Sequence, residues 1–108
     1  MVQVSAYEWY SRGMALLESG DTHQSALALE RAKREEPDAA SIREGLGRAY
    51  LAMRRFSDAA EEFRRVTEIA PTNHYAHYCL SRALRGIGDT RGARRHVKLA
   101  RCLGSTLV

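Results

Sequence analysis

The chain has 108 residues and a mass of 12.1 kDa, enough for one domain with its own core and too short for a two-domain enzyme. Leu, Ile, Val and Phe supply only 21 residues, but sixteen alanines, two prolines and a net charge of +4 point away from disorder and toward closely packed helices with small residues at their contacts. No β-rich run competes, and the apolar runs are far shorter than the roughly 20 residues that cross a bilayer.

Met1 leads within a few residues into an amphipathic pattern, with no basic start, apolar block and small-residue cleavage site, so a cytoplasmic chain is expected. Helical spacing then runs over 6–19, stops at Gly20 and Asp21, resumes over 22–36 and closes at Pro37. The next pair is predicted over 40–53 and 57–70, broken at Arg54 and Arg55 and closed by Pro71. The last pair is predicted over 74–87 and 90–103, broken at Gly88 and Asp89. Gly20 and Gly88 suit left-handed helix stops, an advantage Arg54 lacks. Ser41 with Glu44, and Asp58 with Glu61, have the spacing of capping boxes. Cys79 and Cys102 stand alone on helices, without a C-x-x-C pair, and are expected as reduced thiols.

The three pairs are copies of one unit. Pro37 and Pro71 lie 34 residues apart, as do Gly13 and Gly47, Leu46 and Leu80, and Ala59 and Ala93. Ala15, Ala49 and Ala83 keep the step twice over, and Gly20, Asp21 and Thr22 return two steps later as Gly88, Asp89 and Thr90. The copies run 6–39, 40–73 and 74–107. Stacked helix pairs bury a shared core that no single pair could bury, and three is about the minimum for stability.

The unit resembles the tetratricopeptide repeat, whose pattern is Trp, Leu, Gly and Tyr on the first helix, Ala and Phe on the second, then Pro. The middle copy carries Leu46, Gly47, Tyr50, Ala59, Phe63 and Pro71, with Arg43 at the Trp place. The first has Trp9, Gly13 and Pro37, with Arg12 and Ser25 as departures. The third keeps Leu80 and Ala93 but has His77, Ser81 and Ser105 at the Trp, Gly and Pro places. The resemblance implies an all-α fold, a right-handed α-solenoid of three antiparallel helix pairs. Gly13 and Gly47 are then expected at close helix crossings, with Trp9, Tyr50 and Phe63 filling the neighbouring space. Arg94 and Arg101, where a further repeat would pack, read as a polar cap.

The resemblance also implies a non-enzymatic adaptor that binds a peptide or helix of a partner protein in a concave groove. The groove places are Tyr7, Tyr10, Met14 and Leu17, then Ser41, Glu44, Arg48 and Leu51, then Tyr75, Tyr78, Arg82 and Arg85. Aromatic residues and arginine dominate binding hot spots, so an apolar peptide with acidic residues toward the third repeat would fit. Tyr10 and Tyr78 have an alternative role in packing between repeats. A family subclass clamps the terminal carboxylate of chaperone tails at five groove places; those hold Tyr10, Met14, Gly45, Tyr75 and Cys79, and none matches.

Charge divides the chain. The first copy has seven acids against four bases, the second five against six, and the third one against seven. Arg91, Arg94, Arg95, Lys98 and Arg101 form a basic face on the last helix. Beyond a simply solvated face, it offers contact with an acidic partner protein, and two rival roles attach to it: head-to-tail self-assembly with the acidic first repeat of another copy, and contact with nucleic acid or an anionic surface. Nucleic acid is the weaker expectation, because no recognised nucleic-acid module is present. His74 and His77 have a metal-compatible spacing but no evident third ligand, and no catalytic constellation stands out, so neither cofactor nor catalysis is expected. The final Thr106, Leu107 and Val108 resemble a PDZ-domain ligand, with fraying as the default.

Overall fold

The computed structural model describes residues 3–108 and consists of six helices. They are α1 (Ala6–Glu18), α2 (Thr22–Glu35), α3 (Ala40–Ala52), α4 (Phe56–Ile69), α5 (His74–Ile87) and α6 (Thr90–Cys102). No strand occurs among the described residues. Each helix packs mainly on its neighbours in sequence, so the helices form an elongated solenoid of 49 × 24 × 21 Å.

The turns inside the repeats share one geometry. A left-handed residue follows the first helix of each pair: Gly20 at φ 90°, Arg54 at φ 59° and Gly88 at φ 98°. The next amide then reaches back five residues, as in Asp21 N to Leu16 O at 2.9 Å and Arg55 N to Tyr50 O at 2.8 Å. Arg54 adopts the conformation without glycine's freedom, which costs a side-chain-bearing residue about 1–2 kcal/mol; its guanidinium rests 5.2 Å from the centre of the Phe56 ring.

The two expected capping boxes are not formed. Helix α3 starts at Ala40 and α4 at Phe56, which puts Ser41 and Asp58 inside the first turn; Ala39 and Arg55 occupy the cap places without a side-chain bond. Repeat register sets these starts, and Asp58 instead pairs with Arg55 at 2.9 Å. Ser5, Asp21, Asn73 and Asp89 do cap their helices.

Within each repeat, a small residue on the first helix faces a large one on the second. A Cβ at Gly13 would lie 2.5 Å from Leu29, and one at Gly47 would lie 2.7 Å from the Phe63 ring. In the third repeat Ser81 takes this place, and the facing position shrinks to Val97. Ser25 has its own reason: it is fully buried and donates to the Gly13 carbonyl at 2.7 Å, tying α2 to α1. Phe63, Leu29, Leu46, Leu80 and Val66 are fully buried in the core, whereas Trp9 is only half-buried, its ring flanked by Arg12 and Arg31.

The Trp place and the residue nineteen positions later vary together. Trp9 goes with Ala28, Arg43 with Glu62, and His77 with His96. Glu62 is buried, and it accepts from Lys33 Nζ at 2.7 Å and Arg43 Nη1 at 3.0 Å. Arg43 Nε also donates to the Pro37 carbonyl at 2.8 Å, and His77 Nε2 meets the Pro71 carbonyl at 2.9 Å in the same way.

Both ends of the solenoid are polar. Ile42, Leu46 and Ala49, and likewise Ala76, Leu80 and Ala83, are buried, but the corresponding Glu8, Arg12 and Ala15 of α1 are exposed. At the other end, exposed Arg94 replaces buried Ala26 and Ala60.

Candidate functional site

The first helices α1, α3 and α5 carry the groove residues. Tyr10, Met14, Leu17, Leu51, Tyr75 and Tyr78 are half-buried and lean on the core, so they serve packing as well as any ligand. Met14 fits against Gly45, where a Cβ would lie 2.8 Å from its sulfur. Tyr7 is 75% exposed, and Ser41, Arg82 and Arg85 are also exposed. Glu44 and Arg48 are half-buried, and Glu44 accepts from Asn73 Nδ2 at 3.3 Å.

Repeats two and three bring their groove residues together in three adjoining furrows. Arg48, Leu51, Tyr75 and Arg82 line one of about 230 Å³. Leu51, Arg54, Phe56, Arg82 and Arg85 line a second of about 270 Å³. Tyr78, Arg82, Arg85, Val97 and Arg101 line a third of about 380 Å³ at the solenoid's end, together with Leu107 and Val108. Arg82 belongs to all three. Tyr7, Tyr10, Met14 and Leu17 line none of them.

Among the described residues, Arg48, Arg82 and Arg85 form no salt bridge. Their donors therefore face the groove uncompensated, beside apolar and aromatic surface. Cys79 lies beneath them, buried, and burial pushes its thiol up to about 11. Burial and the hydrogen bond to Cys79 hold the Tyr75 phenol at about 12. Both groups stay neutral at physiological pH and offer packing rather than reactivity.

One expectation changes. The basic face is split: Arg91, Arg94, Arg95 and Lys98 surround a furrow on the outside of α6, whereas Arg101 turns to the groove end. At the tail, Ser105 is buried and its hydroxyl accepts from Leu107 N at 3.2 Å, while Thr106, Leu107 and Val108 are exposed. Cys102 is exposed, and neither cysteine is in a disulfide.

His77 takes part in a side-chain pair that the sequence reading missed. Its Nδ1 lies 3.0 Å from Nδ1 of His96 on α6, and the rings stack with centroids 5.2 Å apart. The Pro71 carbonyl can only accept, so His77 Nε2 carries a proton and, in the neutral pair, His77 Nδ1 accepts from His96 Nδ1–H. No group of three or more potential metal ligands exists among the described residues.

Burial holds His96 down at about 4, with repulsion from His77, Arg95 and Arg64 adding to the effect and Asp89 opposing it. A histidine depressed in the folded state stabilises the fold above its unfolded value, near 6.5, and that contribution is lost as pH falls from there toward 4. Solvent reaches His96, so the expected loss is about 1–2 kcal/mol. Thermal melts between pH 7.5 and 4.5 should show it as a steeper decline for the wild type than for His96→Gln. Parallel declines would refute it.

The arrangement is that of a helical-repeat scaffold whose first helices line a surface with three adjoining furrows. The chain belongs to the tetratricopeptide repeat family, whose sequence profile matches residues 10–74. Among solved structures it is similar to MamA, at 25% identity and a TM-score of 0.86 over 93% of this chain. The chain spans 58% of that MamA structure. The second repeat domain of Spaghetti (RPAP3), bound to the HSP90 peptide SRMEEVD, matches with a TM-score of 0.87 at 15% identity, over 92% of both chains. The Yersinia enterocolitica type III secretion translocator chaperone SycD matches with a TM-score of 0.85 at 16% identity, over 94% of this chain and 77% of its own. At those identities the last two likenesses are of fold. No curated protein matches the sequence. No helix among the described residues is long and apolar enough to cross a membrane.

Proposed function

We propose that this chain is a protein–protein interaction adaptor. Its groove takes a peptide or helix of a partner, with apolar residues toward the first repeat and acidic residues toward the third. The observation that carries this reading is the run of unpaired Arg48, Arg82 and Arg85 along contiguous furrows floored by Leu51, Tyr75 and Tyr78. Family membership supports it, as does a fold neighbour whose structure holds a peptide. Docking would work by shape and charge, without covalent chemistry, and the five places of the chaperone-tail clamp remain unmatched.

Selection of peptides from a random displayed library tests this. Wild-type protein should enrich sequences with apolar and acidic residues, and Tyr7→Ala with Arg82→Glu should weaken the winners about tenfold or more. Winners without acidic bias, or winners indifferent to the double variant, would refute the groove. The polar ends speak against the rival stack of copies, because continuing the solenoid would bring Arg12 of one copy toward Arg94 of the next.

A further inference from the structure

The outer face of α6 inverts the pattern of the other second helices. Leu99 and Cys102 stand where α2 has Arg31 and Arg34, and where α4 has Arg65 and Glu68. Arg94 stands where those helices bury Ala26 and Ala60. A polar cap accounts for Arg94 and gives no reason for Leu99, which is 40% exposed. Arg91, Arg94, Arg95 and Lys98 surround Leu99 and Cys102, and together they line a furrow of about 600 Å³. None of these four cations forms a salt bridge among the described residues, and the acid nearest in sequence, Asp89, is engaged as the helix cap.

We infer that this furrow is a second docking site, for an acidic amphipathic helix of another protein. The occupant sets a leucine-sized side chain against Leu99 and Cys102 and its carboxylates against the four cations. Three features select that occupant. The lining residues from 91 to 102 extend about 16 Å along α6, the length of three turns of a facing helix. The methylene stems of arginine and lysine add apolar wall below their charged heads, so the site is apolar within and cationic at the rim. All of these residues lie on one open helix face, and a facing helix supplies the apolar stripe flanked by carboxylates that matches it; a phosphate backbone gives Leu99 no apolar contact, and so small an apolar patch buries little in a bilayer.

A second copy of the chain is a poorer fit. The exposed acids of its first repeat are divided, with Glu18 and Asp21 at one end of the helix pair and Glu8, Glu35, Glu36 and Asp38 at the other, beside exposed Arg31 and Arg34. The furrow shares no residue with the groove, so the two sites can be occupied independently.

The test uses the full chain and a fluorescent synthetic helix with a leucine stripe flanked by glutamates, followed by anisotropy. Binding should weaken with salt and fall about tenfold or more when the glutamates become glutamines. Arg95→Glu with Lys98→Glu should abolish it, Leu99→Gln should weaken it about fivefold or more, and Arg82→Glu should leave it unchanged. All of these positions are exposed, so circular dichroism should show each variant folded as the wild type is. Absence of binding, indifference to Leu99→Gln, or loss in Arg82→Glu would overturn the proposal. So would tighter binding to phosphatidylserine–phosphatidylcholine vesicles or to oligouridylate.

Discussion

Replacing Phe63 with alanine is expected to cost about 3–5 kcal/mol, a large part of the roughly 5–15 kcal/mol that holds a domain together. Phe63 is the largest fully buried side chain, and it belongs to the middle repeat, on which both neighbours stack. Its ring faces Gly47, so α3 has no side chain there to fill the space left behind. The cavity therefore persists, which puts the cost at the upper end for a truncation of this kind. Urea denaturation followed by circular dichroism measures it directly. Gly47→Ala supplies an internal check with a change of sign: alone it should destabilise, because the new methyl would press on the ring, and in the Phe63→Ala background it should be neutral or favourable. A cost below about 1 kcal/mol for Phe63→Ala would show that the helices close over the gap.

Glu62→Ala is expected to cost about 2–3 kcal/mol, while Arg43→Trp combined with Glu62→Ala should lie within about 1 kcal/mol of the wild type. The single change leaves the Arg43 guanidinium in a site only 15% exposed without its carboxylate, and an unpaired buried charge is costly. Lys33 is more exposed and can turn to water. The double change installs in repeat two the residues that repeat one carries at these places, tryptophan and alanine. Well-packed apolar replacements of buried ion pairs are often as stable as the pair itself. Additive costs for Arg43→Trp and Glu62→Ala would show that the two places do not act as a unit.

Most of the fold was legible because its signals repeat. Gly20 and Gly88, Pro37 and Pro71, and the recurring alanines locate the turns, and the observed helix ends fall within a residue of those expected. The capping boxes failed because Ser41 and Asp58 are local patterns, and the helix starts answer to packing between repeats. Glu62 and His96 went unread for a related reason. A polar residue on a second helix looks solvated until its partner nineteen positions earlier is known, and the clue was the joint departure of Arg43 and His77 from tryptophan. The groove was legible as a set of places. Its concentration in repeats two and three was not, because that depends on which arginines find carboxylates and where the tail lies.

The joint variation of Trp9 with Ala28, Arg43 with Glu62 and His77 with His96 bears on how the chain assembles. Near-identical hairpins invite a helix to join the wrong partner during folding, a characteristic failure of repeat proteins. The second and third repeats carry polar pairs of different chemistry, Arg43 with Glu62 and His77 with His96, and these act as addresses. Helix α6 offered to α3 would bring a histidine to Arg43 and strand its charge, and α2 offered to α5 would leave His77 facing an alanine. The same variety that weakens the match to the repeat pattern thus tells each helix which neighbour is its own.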